Sequence, residues 1–125
     1  MINTDVGITS VRVNGCLVVN LPPVFSPSGH EDLRDLVLKT IERSGIREVI
    51  FEMSAMVIID VKEFSSVCRV GQMARLLGAF TSLSGMRPEA AAYLAASELH
   101  TDGFNIYREL DNALDSRQRG GQPVS

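Results

Sequence analysis

The sequence has few of the residues that build metal and redox centres. Its only cysteines are Cys16 and Cys68, and its only histidines are His30 and His100. The cysteines form no CxxC motif and lie in apolar stretches, so we expect buried, reduced thiols. Neither histidine has a carboxylate or a cysteine at ligand spacing, which indicates surface residues near helix ends rather than catalytic bases or metal ligands.

Motifs of the common nucleotide and hydrolase sites are also missing. The chain has no GxxxxGK[ST] phosphate loop, no GxGxxG and no GxSxG. A phospho-aspartate receiver domain needs an acidic pair after its first buried strand to hold Mg²⁺, and this chain has Asn20-Leu21-Pro22 there. We therefore expect no catalytic residues, no cofactor and no metal, and we do not expect an enzyme.

Charge and hydropathy argue against two further classes. The net charge of −3 and the pI near 5.3 do not suit a nucleic-acid-binding face, which is basic. The longest apolar run, residues 90–96, is too short to span a membrane, and no signal peptide is visible. The composition, with 45% hydrophobic and 22% charged residues, is that of a globular domain. We expect a single-domain cytoplasmic protein.

Strand and helix patterns alternate along the chain. Asn14-Gly15 between two apolar runs predicts a β-hairpin, and the later alternation predicts a mainly parallel sheet flanked by helices. The expected fold class is α/β, with four to five strands, about four helices and an N-terminal hairpin. We expect residues 1–116 to form the domain and residues 117–125 to be a disordered tail. The predicted strands are 8–13, 16–21, 48–53, 79–83 and 104–107; the predicted helices run from Ser28 to Gly45, from Asp60 to Leu77, over 88–99 and over 108–115.

Two helix starts carry the capping-box pattern, in which a first polar side chain and an acid three residues later bond each other's backbone N–H groups. Ser28 is followed by Glu31, and Asp60 is followed by Glu63. Glycines stand where the first two helices should end, at Gly45 and Gly78.

The loop before the second helix is the first candidate site. Helix N-termini expose unpaired N–H groups and the positive end of the helix dipole, so they stabilise anions. A serine at the first helical position would place a phosphate among those groups, but here that position is Val61. Asp60 also has a sufficient structural role as a cap, worth about 1 kcal/mol. Lys62 is either an ordinary solvated lysine or a contact for an acidic partner.

The second candidate site is the turn that follows the fourth predicted strand. Ser84 follows that strand, Gly85 frees the backbone, and Arg87 precedes Pro88 at the start of the next helix. A phosphate on an exposed Ser84 would pair with Arg87. An ordinary loop serine fits the same pattern.

Taken together, the order of elements and these two loops resemble the STAS domain of bacterial anti-sigma-factor antagonists. Within that family the chain is most similar to the small single-domain scaffold proteins of the stressosome. The resemblance covers roughly residues 8 to 115 and rests on NGCLVVNLP, EVIFEMSAMVIID and LSGMRPEAA. The last segment is the most specific, because the family commonly has (Thr/Ser)-Gly-x-(Arg/Gln)-Pro there.

The resemblance implies a mechanism without an active site. Such proteins dock on a serine/threonine kinase with a histidine-kinase-like ATP fold, which phosphorylates a serine directly after the aspartate of the second-helix loop. By position that acceptor falls on Val61 and is lost, while a second family acceptor falls on Ser84, with Gly85 and Arg87 as phosphate support. Asp60, Val61 and Lys62 then form the partner-docking loop. Ser65 and Ser66 lie inside the predicted helix and are poor replacements.

The sequence thus leaves three functional hypotheses. The first is a non-enzymatic scaffold of a stressosome-like complex, which binds STAS-containing sensor proteins and a partner-switching kinase as a self- or hetero-oligomer. The second is an anti-sigma-factor antagonist switched by phosphorylation at Ser84. The third is a STAS module that binds a small anion or a nucleotide at helix N-termini.

Overall fold

The computed structural model describes residues 7–97, 99 and 101–118, with side chains up to residue 115. His100 and residues 119–125, which are most of the predicted tail, lie outside this part of the chain. None of the helices within it has the length and apolar character needed to cross a bilayer. The strands are β1 (Thr9–Val13), β2 (Cys16–Asn20), β3 (Glu48–Glu52), β4 (Phe80–Ser84) and β5 (Phe104–Tyr107); the helices are α1 (Gly29–Ser44), α2 (Val61–Leu76), α3 (Pro88–Ala96) and α4 (Leu110–Gln118).

The five strands form one mixed sheet in chain order. β1 and β2 are antiparallel and are joined at Asn14 and Gly15, whose φ angles of 49° and 82° are those of a tight hairpin turn. β2, β3, β4 and β5 are parallel neighbours. The predicted α/β fold class, with its antiparallel hairpin and otherwise parallel sheet, is confirmed.

Helices cover both faces of this sheet. Because successive side chains of a strand point to opposite faces, β2 and β3 contribute to two separate apolar clusters. α4 covers one face, where Ala113 packs with Cys16, Val18 and Ile50. The other three helices pack on the opposite face, which holds the larger cluster. Its buried members include Val19, Phe51 and Leu83 of the sheet, Leu33 and Val37 of α1, Phe64 and Val67 of α2, and Leu94 of α3.

Several element boundaries differ from the predicted ones. β4 ends at Ser84 rather than one residue earlier, because Ser84 pairs in register with Glu52 and accepts a hydrogen bond from the backbone N–H of Met53 at 2.8 Å. The apolar run at residues 57–59 lies in the β3–α2 loop. α3 ends at Ala96, and α4 extends to Gln118, two residues into the predicted tail.

The two predicted capping boxes have different outcomes. Asp60 has an extended backbone and accepts hydrogen bonds from the N–H groups of Lys62 at 2.7 Å and Glu63 at 3.3 Å. Ser28 has ψ of 7°, caps nothing with its side chain, and donates instead to Asp32 Oδ2 at 2.9 Å. The cap predicted at Ser28 is wrong, because a capping side chain reaches the N–H groups from an extended backbone.

This contrast gives a stability prediction. We expect Asp60→Ala to lower the free energy of unfolding by about 1 kcal/mol, because two N–H groups of α2 lose their acceptor. Ser28→Ala is the matched control, and we expect it to cost a few tenths of a kcal/mol at most, about the surface-substitution range. Urea unfolding followed by circular dichroism measures both. Equal losses for the two variants would contradict the role given to Asp60.

Candidate functional site

The two loops singled out in the sequence leave the sheet at the same edge. β3 and β4 are neighbours, and their last residues, Glu52 and Ser84, are paired. The β3–α2 loop (residues 53–60) and the β4–α3 loop (residues 85–87) therefore begin side by side. Arg87 Nη1 donates to the backbone oxygen of Ser54 at 3.5 Å and so joins the two loops.

Exposed apolar side chains surround the start of α2. We call Val24, Val57, Ile58 and Val61 the apolar patch; Val24 is 72% exposed, Ile58 83% and Val61 38%. Proteins rarely leave grouped large apolar side chains in water unless another surface covers them. A cavity of about 400 Å³ opens beside the patch. It is lined by Pro23, Val24, Ala55, Val57, Ile58, Asp60 and Glu63.

Sequence reasoning predicted Asp60, Val61 and Lys62 here, and the structure places all three at the exposed start of α2. It missed Val24 and Ile58. The signal was present in part: Val24 belongs to a short apolar pair after two prolines, and Ile58 lies in an apolar run that no strand pattern continues. Only the tertiary structure tells which members of that run point outward, since Ile59 beside Ile58 is buried.

Glu63 holds the β2–α1 loop, which carries Val24, in place. The predicted capping box has Glu63 bonding back to Asp60, but its Oε2 accepts a hydrogen bond from the backbone N–H of Phe25 at 2.8 Å. Phe25 is buried, and its ring meets the ring of His30 edge-on at 5.4 Å. The β2–α1 loop, which carries Val24, is therefore tied to the first turn of α2.

The first N–H groups of α2 are already occupied. Lys62 and Glu63 both donate to Asp60 Oδ1, so a carboxylate of the chain stands where a bound anion would otherwise sit. The side chain of Val61 has no oxygen that could be phosphorylated. The start of this helix is thus suited to apolar contact rather than to phosphate chemistry.

Ser84 does not have the exposed hydroxyl that the sequence suggested. It is fully buried as the last residue of β4, and its Oγ donates to Glu52 Oε2 at 2.7 Å. Glu52 Oε1 accepts from the backbone N–H and the hydroxyl of Ser54. Gly85 packs against this carboxylate, and Arg87 reaches Ser54 rather than Ser84. A phosphate on Ser84 would therefore need the end of the strand to open and would meet the negative charge of Glu52.

The other candidate residues lie away from this edge. Neither cysteine forms a disulfide; Cys16 is buried and Cys68 is half-buried. Burial raises the pKa of the Cys68 thiol, opposed by the charge of Arg75, so the reactive thiolate is disfavoured at neutral pH. Ser65 is half-buried and Ser66 buried, on α2. His30 is exposed on α1 and contacts Ser66. In the described part, no three His, Cys, Asp or Glu side chains group as metal ligands do.

No protein-family model and no curated protein matches the chain. Several solved structures, by contrast, match this chain in fold. An RsbS variant from Moorella thermoacetica superposes with a TM-score of 0.77 at 20% identity, over 90% of this chain and 95% of the other. An anti-sigma-factor antagonist (STAS) domain protein from Planctomyces limnophilus gives 0.70 at 15% identity, over 88% and 96%. This chain has the STAS fold. A chain from a structure of the stressosome, described as a signal integration and transduction hub, gives 0.78 at 20% identity, over 89% and 96%.

Each of these three structures is matched over 95–96% of its own length. At these identities the match establishes the fold, and the chemistry must be argued from this chain's own residues. Those residues place an apolar patch and a capped helix start at the edge where β3 and β4 end.

The packing of Gly85 on Glu52 gives a second stability prediction. Gly85 has φ of 71°, and a Cβ there would lie 2.8 Å from Ser54 Oγ and closer still to Glu52. Gly45 is the matched control, because its φ of 63° imposes the same left-handed strain while no atom lies within 4 Å. We expect Gly85→Ala to lower the free energy of unfolding by about 1–3 kcal/mol more than Gly45→Ala. Thermal and urea unfolding of both variants check this difference, and equal losses would show that the carboxylate moves aside freely.

Proposed function

We propose that this chain is a non-enzymatic regulatory STAS protein that works by docking other proteins at the start of α2. The observation that carries this proposal is the apolar patch, four exposed aliphatic side chains on two loops and the first turn of a helix. The loops are tied together by the hydrogen bond from Phe25 to Glu63. A surface held in one conformation loses little entropy when a partner covers it.

Charge arrangement supports a protein partner. Asp60 and Glu63 border the cavity beside the patch, and Lys62 is exposed next to Val61. The buried core of a protein interface is apolar, and charges at its rim set orientation and association rate. The partner surface that fits is an apolar side chain entering the cavity, with basic groups opposite the two carboxylates.

The valine at position 61 makes this docking independent of phosphorylation there. A phosphoserine would bring a charge of about −2 to the middle of the contact and disrupt apolar packing. Val61 brings no such charge, and Asp60 already satisfies the neighbouring N–H groups. We therefore infer that the docking surface is permanently available rather than switched.

The stressosome setting is the finer part of the proposal. It is supported by the similarity to RsbS and to a stressosome chain and by the sequence motifs quoted above. The proposed partners are STAS-containing sensor proteins and a partner-switching kinase with a histidine-kinase-like ATP fold. The proposed location is the cytoplasm, and the proposed state is a self- or hetero-oligomer.

The two rival hypotheses have less support from the geometry. A switch at Ser84 needs a buried hydroxyl, bonded to Glu52, to become accessible. A ligand at the start of α2 would compete with Asp60 for the same N–H groups. The apolar patch needs no rearrangement, so we favour docking.

Ile58→Asp tests the docking surface. We expect this variant to weaken binding of a STAS sensor protein or of the kinase from the same genome by tenfold or more, roughly the loss of a central interface contact. Leu76→Asp is the control: Leu76 is 81% exposed, against 83% for Ile58, but lies at the opposite end of α2. Size-exclusion chromatography with light scattering measures complex formation. A wild-type chain that stays monomeric and binds neither protein would defeat the proposal.

Val61→Ser tests the lost acceptor. If the loop presents this position to the kinase, Val61→Ser should be labelled by kinase and ATP, while the wild-type chain should not. The experiment is repeated in a Ser84→Ala background, so that phosphopeptide mapping separates the two positions. Label on wild-type protein that disappears in Ser84→Ala would instead favour the switch at Ser84.

A further inference from the structure

A small notch lies between α1 and α2, away from the apolar patch. Its volume is about 110 Å³. His30 and Arg34 are one turn apart on α1. On α2, the other lining residues follow Ser66 by three, four and seven positions, so one face of each helix lines the notch. The lining residues are His30, Glu31 and Arg34 of α1 and Ser66, Arg69, Val70 and Met73 of α2.

The charge around this notch differs from that of the protein as a whole. Two arginines and a histidine line it against a single acid, Glu31, although the chain carries a net charge of −3. Arg34 pairs with Asp35 at 3.3 Å, but both side chains are about half exposed, and such pairs contribute little. Within the described residues, Arg69 has no acidic group within 4 Å. The guanidinium of Arg69 is therefore available to an anion in the notch, which would gain from its charge.

The inner wall of the notch supplies a hydroxyl. Ser66 is buried, and its Oγ contacts Nδ1 of His30. A serine hydroxyl both donates and accepts, so it serves an oxyanion ligand while keeping its contact with the imidazole. Guanidinium groups bind phosphate-like oxygens through parallel N–H donors. Val70 and Met73 form the apolar part of the remaining wall.

We propose that this notch binds one phosphate-sized oxyanion. Its volume of about 110 Å³ suits a single tetrahedral anion. The anion has two sources with the same chemistry, free orthophosphate or the phosphate of a phosphoserine side chain. The site does not use the apolar patch, so it stands or falls separately from the docking proposal.

Titration with sodium phosphate at constant ionic strength tests the site, with backbone amide shifts recorded by NMR. We expect saturable shifts at His30, Ser66 and Arg69. Arg69→Gln should weaken binding about fivefold or more, because a charge-assisted contact is lost. Arg47→Gln removes the same charge from an exposed position before β3, and it should change the dissociation constant less than about twofold, as expected for a distant screened charge.

Glu31→Gln gives a readout of opposite sign. Glu31 is the acid that opposes an anion in the notch, so its neutral variant should bind phosphate more tightly than the wild-type chain. A purely structural role for these residues would not produce opposite effects from Arg69→Gln and Glu31→Gln.

A parallel titration with phosphoserine, amidated and acetylated at its ends, separates the two sources. Tighter binding of phosphoserine than of orthophosphate assigns the notch to a phosphorylated side chain, and equal or weaker binding assigns it to the free ion. The proposal is overturned if no saturable shift is seen at these residues up to about 10 mM phosphate, because a dissociation constant above that concentration would be too weak for a functional site. Equal effects of Arg69→Gln and Arg47→Gln would overturn it as well.

Discussion

The hydrogen bonds from the N–H groups of Lys62 and Glu63 to Asp60 are the interaction on which the proposed site depends. They fix the residue at which α2 begins and therefore make Val61 its first residue, half exposed beside Ile58. They also fill the positive end of the helix with a carboxylate of the chain. One aspartate thus defines the position of the apolar patch and removes the anion chemistry that an uncapped helix start would offer.

Around this cap, the chain holds its loops together by contacts that the helix itself does not need. Glu63 could serve its own helix, yet it binds the backbone of Phe25 and positions the loop of Val24. Glu52, at the end of β3, takes hydrogen bonds from Ser54 and Ser84 and so joins the other two segments. Two glutamates therefore connect the β2–α1 loop, the β3–α2 loop and the end of β4 at one edge of the sheet, which is the arrangement expected of a preformed binding surface.

The features predicted correctly from the sequence are those that local sequence patterns determine. The hairpin at Asn14-Gly15 and the cap at Asp60 depend on short-range chemistry, and the structure confirms both. The mainly parallel sheet, predicted from the alternation of strand and helix patterns, is confirmed as well. The prediction that Ser84 is exposed is wrong, because β4 is one residue longer than the sequence pattern indicates. Pairing with Glu52 of β3 makes Ser84 the buried last residue of the strand rather than a loop residue. The cap expected at Ser28 failed because backbone conformation, not residue type, decides whether a hydroxyl reaches the helix. Which apolar loop residues face water is a property of packing and could not be predicted from sequence.

A consequence for regulation follows from the proposed docking function. At Val61 the hydroxyl is absent, and at Ser84 it is buried against a carboxylate, so neither position proposed from the family resemblance offers an accessible acceptor in the folded chain. A phospho-switch needs an acceptor that is exposed in one state and electrostatically supported in the other. Val61 has no hydroxyl in any state, and the hydroxyl of Ser84 becomes exposed only if the end of β4 opens. Control of a permanently available surface then has to come from the partners, through their concentration or their own conformational states, because only a difference in affinity between states shifts an equilibrium.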